Sequence, residues 1–359
     1  MTHDVLHVLG TARPEGASIA RIVGSLGELI DKRRFRLHAW FLGEDGPLRG
    51  ELEARGVATR CLGWSGGIRD VGGVVDFVRA LRGRRFAIVH QHQGGRSVRL
   101  AARLAGDSKL VSHVHGVVDE SHPWQRSSTS VPSCDRVIAC SRFVASQIVG
   151  AHAVVIHSGV EPLAAPVPCR KEGQVLVGAA SRMVPSKGLG VLIDAAGLIL
   201  AAGINARIEI AGDGPERDSL EREVRRRNLT NVRFLGWRNT FALLPGWDIF
   251  VQPSIHEPFG LANIEAMNHG LPVVASATGG IPEIVQNGST GLLVEPGDAA
   301  ALAKAILRLV RDPLLRHQMG VAGKLRVAEH FSSGAMARAV SGLYEDLLAL
   351  PEYVNARMN

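Results

Sequence analysis

The chain is short of aromatic residues, cysteine and lysine, and the first two shortages each remove a class of function. Only 5% of its 359 residues are Phe, Trp or Tyr, so the stacking platforms that hold single-stranded nucleic acid are scarce. No basic run with interleaved aromatics occurs either, and no nucleic-acid partner is expected. The four cysteines, Cys61, Cys134, Cys140 and Cys169, make no CxxC pair and have no metal-ligand spacing. They read as reduced thiols of a cytosolic protein. No window approaches ~18 uninterrupted apolar residues, so no membrane-spanning helix is expected. The opening MTHDVLHVLG lacks the basic start and apolar stretch of a signal peptide. The expected compartment is the cytoplasm.

Arginine outnumbers lysine 35 to 6, which looks more like codon bias than a built patch. The charge is nevertheless uneven. Residues 1–168 hold 21 Lys/Arg against 15 Asp/Glu, and residues 169–359 hold 20 against 19. A basic first half suits an anionic partner, and peripheral contact with an acidic membrane surface is the expectation drawn from it. A solvated, arginine-rich surface explains the same numbers.

What is present is a long alternation of short apolar runs with helical patterns. Strands are predicted at 5–10, 36–43, 87–92, 110–116, 136–141 and 153–160, with amphipathic stretches such as 19–32 between them. At 161–173 the chain reads EPLAAPVPCRKEG, three prolines without periodicity, the best linker candidate. The pattern then restarts, with strands at 174–180, 206–212, 232–237, 248–254, 272–276 and 291–296 and helices over 189–202, 215–228 and from about 260. This predicts an α/β fold of two doubly wound, Rossmann-like domains, over 1–165 and 174–330, facing across a cleft. The end of the chain, 331–359, reads as a helix with no strand after it.

The stretch HEPFGLANIEAMNHG holds two glutamates, Glu257 and Glu265, eight residues apart. Pro258 disfavours helix at Glu257, so that residue belongs to the loop leaving a strand. A helix opening near Gly260 leaves the amides of Phe259, Gly260 and Leu261 without internal acceptors, at the positive end of its dipole. Glu265 lies more than one turn along. Acid, anion cradle, acid suits an elongated ligand with hydroxyls at both ends and a diphosphate between. SRMVPSKGL adds Arg182 and Lys187 at another strand end. Taken alone, the two glutamates read as a helix cap and a surface residue; the neighbouring cations weigh against that.

Residues 174–310 resemble the donor-binding half of the retaining glycosyltransferases of the GT-B fold, family four (glycosyl transferases group 1). The shared pieces are G-x-x-S-R-M-x-x-S-K-G, A-G-D-G-P, V-R-F-L-G-W, E-P-F-G-L-x-N-I-E-A-M-x-x-G-L-P-V-V-A-S and G-G-I-P-E. The resemblance implies a nucleotide-diphosphate-sugar donor and a hydroxyl acceptor, with retention at the anomeric carbon. It puts Glu257 toward the sugar, Glu265 toward the ribose, Arg182 and Lys187 on the diphosphate, and the base near Leu235. It also implies a C-terminal helix that returns to the first domain. The residues leave the base open, with a UDP-sugar favoured as co-substrate.

In the first half the likeness rests on order. Gly16, in GTARPEGAS beside Arg13, fits a glycine approaching the donor phosphate, although Glu15 stands where a second glycine is common. His115 falls where the family has a histidine near the transferred sugar, and His90 and His92 where histidines approach the acceptor. Trp124 and Arg126 lie in a long loop, 119–133, suited to an acceptor lid. No D-x-D occurs, so a metal-bridged diphosphate has no evident ligands and no metal or other cofactor is expected. Three other readings compete. GWSGG at 63–67 is a formal G-x-S-x-G with Ser65, but GGIRDVGG is a poor helix start for a nucleophile elbow. A dinucleotide-dependent enzyme needs G-x-G-x-x-G in the first βα turn, which lacks it. A sugar-nucleotide epimerase or a phosphorylase on the same fold is the remaining alternative.

Overall fold

The computed structural model describes residues 2–14, 17–64, 70–116, 134–165 and 174–349. The chain divides into two compact units, Met1–Glu161 with Ser333–Asn359, and Pro162–Ser332. Gly16, Ser65, Trp124, Arg126 and Cys169, together with most of the proline-rich linker, lie outside the described residues.

The first unit is a seven-stranded parallel sheet. Its strands are β1 (His3–Leu9), β2 (Phe35–Phe41), β3 (Ala58–Cys61), β4 (Ile88–Gln91), β5 (Lys109–Val114), β6 (Arg136–Ala139) and β7 (Ala153–Val155). They run in the order β3-β2-β1-β4-β5-β6-β7, reversing direction of travel at β1, the doubly wound arrangement expected. Strand parity sorts the two faces. Val5, Leu9, Ile88, Val111 and Ile138 join one core with helices Ala17–Leu29 and Ser333–Ala349, whereas Leu6, Val8, Val89 and Leu110 join another. The last helix contributes Met336, Ala337, Val340, Leu343, Tyr344 and Leu347 to the first of these cores.

The second unit has six parallel strands, β8 (Val175–Ala180), β9 (Ala206–Ala211), β10 (Val232–Gly236), β11 (Ile249–Gln252), β12 (Val273–Ser276) and β13 (Gly291–Val294), in the order β10-β9-β8-β11-β12-β13. Its strands read as near-continuous apolar runs because helices cover both faces of a parallel sheet. Gly178 in β8 is required by packing: a Cβ there would fall inside the Trp247 ring.

Two expectations need correcting. The stretch 153–160 is strand only as far as Val155; its later residues bend away, and Val160 makes just an isolated bridge. GGIRDVGG does lead into a helix, Val71–Arg82. Asp70 caps it by accepting from the Gly73 amide at 2.9 Å, and Gly73 leaves room for the Trp64 ring. That helix begins six residues past Ser65, so the spacing is not that of a nucleophile elbow.

Candidate active site

In the second unit, the loops leaving β8, β9 and β11 are stitched together by backbone. The Met183 amide donates to Asp213 O (2.8 Å), Glu216 N to Met183 O (3.1 Å), and Ile255 N and His256 N both to Ser186 O (2.9 and 3.1 Å). Glycine permits this closeness. Gly188 has φ 62°, and a Cβ on it would land on the Pro253 carbonyl oxygen. The loop carrying Arg182 and Lys187 is thereby fixed against the loop carrying Glu257.

Lys187 and Glu257 meet. Lys187 Nζ lies 2.7 Å from Glu257 Oε2, and the same oxygen accepts from Gln252 Nε2 and, at 3.2 Å, from Ser254 Oγ. The Glu257 side chain is 8% exposed and that of Lys187 25%. Gln252 and Ser254 do not stand out in the sequence; their signal is a pair of polar residues, two apart, closing an otherwise apolar strand. Arg182 is exposed. Helix Leu261–Asn268 opens one residue later than 260, because Gly260 (φ 102°) occupies the capping position in left-handed backbone, and the Asn263 amide is taken by Gly260 O at 2.9 Å. Phe259 is buried and packs near Phe331. Glu265 is a buried helical residue, not a surface one. Beside it Asn263 is fully buried with neither side-chain polar atom partnered within the described residues, a cost tolerated where a ligand supplies the partner. Leu235 sits half-buried in β10, one residue before Gly236 (φ 67°).

The first unit gathers five histidines. His7 is paired in register with His90, and His90 with Val111. Period-2 alternation then puts His92, His113 and His115 on the same face as His7. All lie in the carboxyl half of adjacent strands or one residue past their ends. His7 Nδ1 is 2.9 Å from His92 Nε2, His92 Nδ1 is 2.8 Å from His115 Nε2, and Tyr344 Oη is 2.5 Å from His90 Nδ1 and 3.4 Å from His7 Nε2. Burial lowers the His7 pKa to about 3, helped by His38, and that of His115 to about 4. His90, His92 and His113 fall well below their ordinary value, chiefly by burial and then by neighbouring imidazoles. His90 is fully buried beneath Tyr344, so the structure does not present it to an acceptor, against the expectation drawn from the resemblance. His92 spends both ring nitrogens on other histidines. The triads His7/His90/His92 and His92/His113/His115 bring nitrogens within 4.8 Å of each other, the spacing of a metal site. Both need His92, and a cation there would have to break the ring-to-ring bonds. Arg13 pairs with Glu44 at the surface.

Two doubly wound parallel sheets, one bearing a lysine–glutamate pair and a helix opening at its strand ends, define the GT-B class of α/β protein. Residues 165–326 match the family model described as Glycosyl transferases group 1, and residues 19–162 that of Glycosyltransferase Family 4. Between them the two glycosyltransferase models match most of the chain. It is 35% identical over 147 residues to N-acetyl-alpha-D-glucosaminyl L-malate synthase of Bacillus anthracis, covering 40% of this chain and 39% of that protein. It is 30% identical over 263 residues to glycogen synthase of Mycobacterium tuberculosis, covering 66% and 63%. The matches thus span only part of these relatives' lengths. In fold it is similar to Anabaena Alr3699/HepE, solved in complex with UDP and glucose, at TM-score 0.80 and 21% identity over 96% of this chain and 100% of that one. Among the described residues no helix is long and apolar enough to cross a membrane.

Proposed function

We propose that the protein transfers a sugar, with retention, from a nucleotide-diphosphate-sugar to a hydroxyl acceptor. The observation that carries this is the Lys187–Glu257 pair, set 2.7 Å apart where three strand-end loops converge, with Arg182 exposed on the loop that carries Lys187. Lys187, Arg182 and the first amides of helix Leu261–Asn268 stabilise charge developing on the departing diphosphate, the largest single contribution to lowering the barrier of such a transfer. Glu257 orients the sugar, Glu265 takes the ribose hydroxyls, the backbone near Leu235 holds the base, and His115 hydrogen-bonds the transferred sugar. These groups neutralise the diphosphate without a cation. A uridine nucleotide is favoured, supported by the neighbouring fold solved with UDP and with UDP-glucose. The basic first half supports peripheral contact with anionic membrane, where lipid-linked hydroxyl acceptors reside.

Thermal stabilisation by UDP, GDP, ADP, CDP and their sugars, measured in EDTA on wild type and Glu265→Ala, tests the reading. One base should raise the melting temperature of wild type and do so far less for the variant. No shift with any nucleotide, or a shift that appears only with added magnesium, would overturn it.

A further inference from the structure

The buried histidines of the first unit form a chain of rings, and its polarity can be worked out from one end. Tyr344 Oη has a single proton to give and two histidine nitrogens beside it. Hydroxyl donors form shorter hydrogen bonds than ring N–H donors, so the shorter of the two contacts is assigned to Tyr344 O–H donating to His90 Nδ1. The 3.4 Å contact must then use the Tyr344 lone pair, with His7 donating from Nε2. A neutral imidazole carries one N–H. With Nε2 protonated, His7 Nδ1 is bare and accepts from His92 Nε2 at 2.9 Å. His92 Nδ1 is bare in turn and accepts from His115 Nε2 at 2.8 Å. The rings stay neutral because burial disfavours a second proton on each of them.

We infer that Tyr344, His7 and His92 are positioning residues that hold His115 in the Nε2-protonated tautomer, so that its Nδ1 meets the ligand as a hydrogen-bond acceptor. The protonation of the last ring, His115, is set by a phenol at the far end of the chain, on a helix 229 residues downstream in sequence. A ligand group opposite His115 must then donate: a hydroxyl fits, whereas a carbonyl, a phosphate oxygen or fluorine does not. The consequence for sugar recognition rests on the function proposed above; the tautomer assignment does not. His113, stacked on His115 with ring centroids 4.0 Å apart and both nitrogens without a partner among the described residues, stands outside the chain.

Nitrogen-15 spectra of the histidine rings in the ligand-free protein at pH 7.5 test the assignment directly. His7, His90, His92 and His115 should all show the Nε2–H pattern; an Nδ1–H pattern at His115 would reverse the chain and sink the inference. Tyr344→Phe should leave His7 and His115 as mixtures of tautomers, and unchanged spectra would remove Tyr344 from control. Should that variant not fold, His7→Phe, which keeps a ring and deletes both nitrogens, should do the same to His92 and His115. Affinity gives the functional readout: Tyr344→Phe should weaken the nucleotide-sugar about tenfold, the scale of one hydrogen bond, and the free nucleotide by less than twofold. Correct tautomers without nucleotide binding would refute the proposed function alone. Nucleotide binding that depends on Glu265, with the wrong tautomers, would refute the chain alone.

Discussion

At the scale of single residues, Lys187 and Glu257 hold each other before any ligand arrives. Removing the lysine strands a carboxylate that is 8% exposed, though Gln252 and Ser254 still donate to it. Breaking a buried pair costs about 3–5 kcal/mol, and the partial exposure of Lys187 brings that down to about 1–3 kcal/mol. Lys187→Met should therefore lower the urea midpoint by that equivalent and weaken nucleotide binding, whereas Lys187→Arg keeps most of the stability. Both residues were legible in sequence because a local motif carries each of them. His7 and Tyr344 were not: nothing within a few positions of either reports that β1 and the last helix share a core. The resemblance that placed His90 toward an acceptor carries no record of the last helix, which covers it here.

At the scale of elements, the site depends on turns that only glycine can make. Gly188→Ala places a Cβ on the Pro253 carbonyl oxygen and forces alanine into left-handed backbone. The backbone strain costs about 1–2 kcal/mol, and the collision adds about 1–3 kcal/mol. A loss of at least about 2 kcal/mol in chemical denaturation is expected, together with weaker nucleotide binding as the 185–188 turn moves off residues 253–256. Every strand but β3, whose half-exposed ATRC is no apolar run, was readable in sequence, and most of the bounds were predicted within two residues. The failures are instructive. Residues 156–160 are apolar enough for a strand but leave the sheet after Val155. The glycines at 72 and 73 look helix-breaking, yet Asp70 caps the turn and Trp64 fills the space beside Gly73.

At the scale of the whole molecule, the histidine cluster ties stability to pH. These histidines titrate far below 6.5 when folded and near 6.5 when unfolded, so between those values the unfolded chain binds more protons. Stability should fall as pH drops below about 6.5 and keep falling toward about 4, at up to ~1.4 kcal/mol per pH unit for each histidine. Urea midpoints at pH 7.5, 6 and 5 measure the slope. His113→Phe should make it shallower and, by deleting two unpartnered buried nitrogens, should cost little or even stabilise at pH 7.5. A slope unchanged by this variant would place the acid sensitivity elsewhere. The fold class was legible in the alternation of strands and helices, but the histidine cluster depends on register across three strands, which a one-dimensional pattern does not contain.

The first unit is written in two pieces, with the whole of the second inserted between Glu161 and Ser333. Biosynthesis therefore completes the later unit before the earlier one. A nascent chain that stops short of Ser333 carries every residue of the inserted unit, while the seven-stranded sheet still lacks the helix that covers His7 and His90. A truncation at that point should yield a protease-resistant fragment from 174–330 and a labile amino-terminal half, so premature termination would be read by the cell as a misfolded front end attached to a sound middle.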